Sequence, residues 1–135
     1  RGLAAHITRL GYVEHTDVPR YYAAFDLLVV PSETQPTWKE QFGRVLIEAL
    51  ACETPVIGSS SGEIPVLLRR TGGGLVFPEG EAGALAEQLA HLGTDPERRS
   101  TLARTGRQAV LNEFTNEALA RRFADTISRA VACPA

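Results

Sequence analysis

The sequence predicts an α/β domain: a parallel sheet whose faces are covered by helices. Three observations carry this. Short apolar runs, Leu27-Leu28-Val29-Val30, Pro55-Val56-Ile57-Gly58 and Leu75-Val76-Phe77-Pro78, recur along the chain without charge, as strands buried on both faces do. Segments with helix-start and helix-stop signals separate them, and that alternation favours parallel pairing. The 135 residues, 44% hydrophobic and 22% charged, suffice for one core and are too few for two ordinary domains.

The elements follow in order. Ile7 to Val13 is a weak strand candidate. Asp17-Val18-Pro19 supplies an N-cap followed closely by proline and opens a short helix through Ala24. The buried strand Leu27 to Val30 ends at Pro31, and a loop runs from Ser32 to Lys39. An amphipathic helix beginning near Gln41 or Phe42 continues to about Cys52, with Phe42, Val45, Leu46, Ala49 and Leu50 as its buried stripe. After strand Pro55 to Gly58, Ser59-Ser60-Ser61-Gly62 leads into a helix with Pro65 in its first turn, running to Arg70. Gly72 to Gly74 form a C-cap and turn before strand Leu75 to Pro78. Two or three helices fill the remainder. The last spans about Asn116 to Ala132, where Leu119, Phe123 and Ile127, with Ala120, Ala124 and Val131 beside them, make one apolar stripe.

The chemistry concentrates between Trp38 and Ala51. Glu40 stands at the mouth of the amphipathic helix and Glu48 about two turns in, so about 12 Å of axial rise separates them. That gap is near the length of a diphosphate bridge. Unpaired N–H groups of Phe42, Gly43 and Arg44 would face the diphosphate, with a sugar at one carboxylate and a ribose at the other. Plainer readings of the same residues stay open. Thr37-Trp38-Lys39-Glu40 matches a capping box, and Arg44 with Glu48 matches a solvated i, i+4 pair. Ligands of open parallel sheets bind at the carboxyl ends of the strands, which puts Glu40, Phe42, Gly43 and Ser59 to Gly62 on one rim. The serine turn there reads either as an anion nest or as a plain N-cap.

Other functions find little support. A net charge of −2 and a pI near 5.9 give no global reason to bind nucleic acid. Arg69-Arg70 and Arg98-Arg99 read as helix-end charges. No apolar run nears the length of a bilayer span, and no signal peptide is visible. Cys52 and Cys133 are isolated, without a CxxC partner, which points away from zinc and toward a reducing cytoplasm. Cys52 reads as a small core residue and Cys133 as a stray thiol. His6, His15 and His91 are solitary, so neither a metal site nor a histidine-based catalytic group is expected.

Five ordered motifs make the chain resemble a known family. They are Pro31-Ser32, Glu40-Gln41-Phe42-Gly43, Glu48-Ala49-Leu50-Ala51, Thr54-Pro55-Val56-Ile57 and Gly62-Glu63-Ile64-Pro65. Leu10-Gly11-Tyr12-Val13 and Tyr22-Ala23-Ala24-Phe25-Asp26 upstream, and Gly74-Leu75-Val76-Phe77-Pro78 downstream, fall in the same order. Together they resemble the C-terminal domain of glycosyltransferase group 1, the large retaining GT-B family. The resemblance implies a partial Rossmann-like parallel sheet, the second half of that domain, followed by C-terminal helices. It implies transfer of a glycosyl group from a nucleotide-diphospho-sugar to an acceptor hydroxyl with retention, without a bound metal or cofactor. Glu40 would take the catalytic role of holding and orienting the donor sugar. Gln41, Phe42, Gly43, Arg44, Val45 and Glu48 would bind the donor, Glu48 through the ribose.

The same resemblance implies missing parts. Such domains open with a strand, a glycine turn and an Arg/Lys pair on the diphosphate, whereas this chain starts at Arg1-Gly2-Leu3 and has no methionine. It is therefore expected to be a fragment, catalytically inactive alone, with its acceptor (a glycan, lipid or small molecule) bound by an absent N-terminal domain. The setting expected is cytoplasmic, the parent standing at the inner membrane face as the variant. The terminal helix would pack on the absent domain, self-associate through its open stripe, or only cover the local sheet. Glu53 stands where the family usually has a helix-capping glycine, Val66 where it often has a glutamate, and the Glu33 to Lys39 loop is longer than usual, with Trp38 stacking on a sugar or packing on the domain. Two other classes stay open: a nucleotide or sugar-phosphate binding module without chemistry, and a helix-mediated interaction domain.

Overall fold

The computed structural model describes residues 2–132, so the reading of Cys133 lies outside the described residues. Three parallel strands, β1 (Leu28–Val30), β2 (Val56–Ser59) and β3 (Gly74–Phe77), form one sheet in the order β1-β2-β3. The register pairs Leu28 with Val56, Val30 with Gly58 and Ser59 with Phe77. Six α-helices surround it: α1 (Val18–Ala24), α2 (Arg44–Ala51), α3 (Ile64–Thr71), α4 (Ala82–Gly93), α5 (Pro96–Glu113) and α6 (Asn116–Ala132). All three strands run the same way, so the loops that leave β1, β2 and β3 share one rim.

Side chains alternate across the sheet with the strand period of two. Leu28, Val30, Val56 and Val76 point into a core with Tyr22, Leu46, Ala49, Leu50, Ile64, Leu67, Leu68 and Val110. Leu27, Ile57, Leu75 and Phe77 point the other way, against Ala84, Leu85, Leu92 and Leu102. Helices α1, α2 and α3 therefore cover one face and α4 the other. Leu50 is wholly buried and is the wedge of the first layer. A Cβ on Gly106 would lie 2.6 Å from Leu50 Cδ2 and 2.8 Å from Gly73 Cα, so α5 approaches the sheet closely only because both positions are glycine.

Several boundaries differ from the sequence expectation. No strand forms over Ile7 to Val13: Gly11 takes φ 67°, which breaks an extended run, and Ile7, Leu10 and Tyr12 are exposed. The Asp17 side chain precedes α1 without accepting a backbone N–H, because its carboxylate takes the Arg20 guanidinium at 2.7 Å. Strand β1 is half-buried rather than buried, as the edge of the sheet. Arg69 and Arg70 do fall in the last turn of α3. Arg98 and Arg99 instead lie in the first turn of α5, and Arg99 reaches back to the Leu92 and Gly93 carbonyls that end α4. Gly72 caps α3 in the left-handed region, φ 63°, as the triple glycine suggested.

The C-terminus of α2 shows what Glu53 does in place of glycine. Thr54 N–H donates to the Ala49 carbonyl and Glu53 N–H to that of Leu50, the two bonds of a Schellman ending. Glu53 completes it at φ 60°, the one left-handed non-glycine among the described residues, at a strain of about 1 kcal/mol. Arg107 offsets part of this by donating to the Ala51 carbonyl at 2.7 Å and by standing 3.6 Å from the Glu53 carboxylate.

Helix α6 does not cover the sheet. Its stripe stays open, with Phe123 69% and Val131 82% exposed, and among the described residues of the helix only Ala118 is buried. Because Leu50 packs against both Gly73 and Gly106, whose backbones already touch and so cannot move in to fill a void, Leu50→Ala is expected to destabilise the chain by about 3 kcal/mol. Denaturant unfolding checks this, and a loss below about 1 kcal/mol would show that the layer collapses to refill the cavity.

Candidate functional site

The rim is tied together by polar side chains from all three strand-end loops. Ser59 Oγ donates to the Ser32 carbonyl at 2.5 Å, joining the loops after β2 and β1. Thr34 Oγ1 and Ser61 Oγ share a hydrogen bond of 2.9 Å. The Glu79 carboxylate accepts the Thr34 N–H and hydroxyl, at 3.2 and 3.0 Å, while Glu79 N–H donates to Ser60 Oγ at 3.0 Å. The serines thus spend their hydroxyls on neighbouring loops. They do not cap α3, which starts behind Glu63 without a side-chain cap.

Glu40 sits where this tied rim meets the start of α2. Its backbone carbonyl accepts the Glu63 N–H at 3.1 Å. Gly62, at φ 57°, lies so close to that carbonyl that a Cβ would overlap its oxygen. The Glu40 carboxylate folds forward, and Oε1 accepts the N–H groups of Gly43 at 3.0 Å and Phe42 at 3.4 Å. Glu40 is therefore held from behind by the β2 loop and from in front by the approach to α2. The Thr37 capping box is absent: residues 35–38 instead form a tight turn, with Gln35 and Trp38 exchanging backbone hydrogen bonds.

Helix α2 begins later than the pattern suggested, at Arg44, behind Gly43 in the left-handed conformation (φ 66°). Two consequences follow. The Phe42 and Gly43 amides belong to Glu40, so the helix-mouth donors left for an anion are those of Arg44 and Val45, which have no intrahelical acceptor. And Glu48 stands one turn into the helix, about 6 Å of rise from Arg44, instead of two turns from its mouth.

Glu40, Gln41, Phe42, Gly43, Arg44 and Val45 line one open hollow of about 450 Å³ with Trp38 and Lys39. Trp38 is half-exposed on its wall. Glu48 does not reach that hollow. It borders a smaller one of about 220 Å³, with His15, Val18, Pro19, Tyr22, Ala51 and Cys52, and another beside Phe42, Arg44 and Phe114. Arg44 stands 3.7 Å from Glu48 Oε1, an exposed pair of little energy. Burial, then the Glu48 charge, push the Tyr22 phenol above its ordinary value. Burial also raises the Cys52 thiol, against the pull of Arg107. The bonds from Thr34 hold the Glu79 carboxyl below its ordinary range.

Glu79 and Tyr22 escaped notice as site residues because their partners lie 45 and 26 positions away. Among the described residues no group of three or more His, Cys, Asp or Glu side chains is placed to hold a metal ion.

Comparison with known proteins gives this rim its context. Residues 1–109 match the family model for glycosyl transferases group 1. The chain belongs to that family. A 91-residue stretch, 67% of the chain, is 37% identical to D-inositol 3-phosphate glycosyltransferase of Mycobacterium tuberculosis, covering 18% of that protein. The fold matches sucrose-phosphate synthase of Thermosynechococcus elongatus with a TM-score of 0.81 at 35% identity, over 96% of this chain and 31% of the synthase. It matches Anabaena HepE, crystallised with UDP and glucose, with a TM-score of 0.80 at 28% identity, over 95% of this chain and 33% of the other. The chain thus spans less than a third of the relative and about a third of each structure, and its architecture is that of a GT-B C-terminal domain.

The rim geometry is testable at two of its residues. Gly62→Ala forces the β2 loop off the Glu40 carbonyl and is expected to cost about 2 kcal/mol, with the amide signals of residues 40–43 shifting most. An NMR spectrum perturbed only at the substituted position would contradict that. Because the folded-state acidity of Glu79 is raised, its contribution is complete above the ordinary glutamate value of 4.5 and is lost as pH falls through the lower folded value. The Thr34 amide should therefore titrate with a midpoint below 4.5, and a midpoint at or above it would show that the bonds do not persist in solution.

Proposed function

We propose that the chain is the donor-binding part of a retaining glycosyltransferase. It binds a nucleotide-diphospho-sugar, whose glycosyl group passes to an acceptor hydroxyl held by a domain outside this chain. The observation that carries the reading is Glu40, fixed on two sides at the lip of a hollow that also contains the mouth of α2. HepE, crystallised with UDP and with UDP-glucose, lends support to the nucleotide-sugar class.

The chemistry assigns each group a task. The bond between the anomeric carbon and a diphosphate oxygen breaks, the acceptor oxygen takes that carbon on the same face, and the acceptor's proton leaves with the diphosphate. Negative charge grows on the departing oxygen. The Arg44 and Val45 amides and the positive end of α2 are aimed where that charge develops, and preorganised donors of this kind lower a barrier most. Glu40 accepts hydroxyls of the donor sugar and favours positive charge at its anomeric centre. Gln41, Phe42 and Gly43 shape the wall, and Glu48 accepts the ribose hydroxyls. No protein-bound metal or cofactor enters the scheme.

The rest of the reading follows from the share of its relatives that the chain spans. The larger electrostatic contribution belongs to basic groups outside it, so the isolated chain is inactive. The acceptor is a glycan, lipid or small molecule recognised elsewhere. Among the described residues no helix is long and apolar enough to cross a membrane, and a cytoplasmic setting goes with the reading. The open stripe of α6 favours a second role, self-association.

Glu40→Gln keeps an acceptor for the Gly43 N–H while removing the charge. It is expected to weaken UDP-glucose binding about tenfold, the scale of a hydrogen bond to a charged group, and to leave UDP binding within about twofold. Isothermal titration checks this. Equal losses for both ligands would remove Glu40 from the sugar subsite, and sugar transfer by the pure chain would overturn its inactivity.

A further inference from the structure

Glu48 is held by a side chain that the donor reading has not used. Tyr22, on α1, presents its hydroxyl 3.4 Å from Glu48 Oε2. Tyr22 is 9% exposed as a residue, and its ring stands edge-on to Phe25, centroids 6.3 Å apart. Its backbone is anchored as well: the buried Thr54 hydroxyl donates to the Tyr22 carbonyl at 2.5 Å. The other oxygen, Oε1, has the Arg44 guanidinium at 3.7 Å, on a side chain 73% exposed. One oxygen thus meets a long hydrogen bond from a packed, half-buried phenol and the other a loose, solvated cation that a ligand can displace.

We propose that Tyr22 is a positioning residue for the nucleoside subsite: its hydroxyl fixes Glu48 Oε2 and thereby leaves Oε1 as the acceptor for a vicinal diol. This rests on the reading that Glu48 binds a ribose. The alternative for a helix-borne glutamate, a carboxylate turning freely between Arg44 and solvent, presents no fixed acceptor and discriminates less against a ligand without the diol. Because burial and the Glu48 charge hold the Tyr22 phenol above its ordinary value, it remains a donor across neutral pH.

Two measurements test it. The first needs no nucleotide. With ring-labelled tyrosine, the Tyr22 titration followed by NMR is expected to move to lower pH in Glu48→Gln, since a negative neighbour that opposed ionisation has gone. An unmoved midpoint shows that the hydroxyl does not meet the carboxylate and overturns the proposal. The second compares uridine diphosphate with its 2′,3′-dideoxy analogue by NMR titration. Tyr22→Phe keeps the ring packing, and it is expected to reduce the preference for the diol about fivefold, the scale of one hydrogen bond, without weakening the dideoxy analogue. Equal weakening of both ligands marks a merely structural tyrosine and overturns the inference. A preference kept in Tyr22→Phe but lost in Glu48→Gln overturns it while the Glu48 reading stands. A preference that survives Glu48→Gln overturns the Glu48 reading, and the inference with it.

Discussion

The close approach of Gly62 to the Glu40 carbonyl is the constraint on which the site depends. A side chain at position 62 would displace the loop that carries Glu40, and without that contact the Glu63 N–H would lose its acceptor. Gly62 and Glu63 both leave a wholly buried strand, β2, which is paired on each side and covered on each face. The rigidity of the sheet centre is thus passed to a loop residue through one backbone contact and one hydrogen bond. Residues 31–43 contain no regular element beyond the bridge at Gln35 and Trp38, and so have few means of their own to hold a carboxylate still.

From that anchor the geometry of the helix mouth follows. Glu40 takes the Phe42 and Gly43 amides, and Gly43 in its left-handed conformation turns the chain into α2. The carboxylate thus sets where the helix starts, and the helix start decides which amides remain for an anion. The rim bonds of Ser59, Thr34, Ser61 and Glu79 brace the outer side of the same loop. These are exposed or half-buried contacts, each of modest energy, and they restrain the loop chiefly by acting together. Cores on both faces supply the stability that the polar rim does not.

Much of the fold was legible because its signals are local. Apolar runs marked β1, β2 and β3 to within one or two residues, and Gly72 marked the end of α3. Six of the seven residues that the motif from Glu40 to Ala51 singled out line one hollow. What was not legible depends on long-range contacts. The capping-box pattern at Thr37 lost to a turn at residues 35–38, and Glu40 turned toward Gly43 instead. Asp17 preferred Arg20 to the backbone of α1. Ser59 to Ser61 met loops from two other strands, partners that no spacing within the segment reveals. Glu48 fell outside the hollow because the helix began later than its hydrophobic period implied.

The central claim, that Glu40 is fixed from both sides before any ligand arrives, is tested most directly by amide hydrogen exchange in the ligand-free chain. The Gly43 and Glu63 N–H groups make the two shorter of the three hydrogen bonds that Glu40 accepts. The account predicts that both are protected well beyond the neighbouring loop amides, and that Gly43 loses its protection in Glu40→Ala while Glu63, which donates to the backbone, keeps it. Exchange of either amide at the rate of an open loop in the unaltered chain would contradict it.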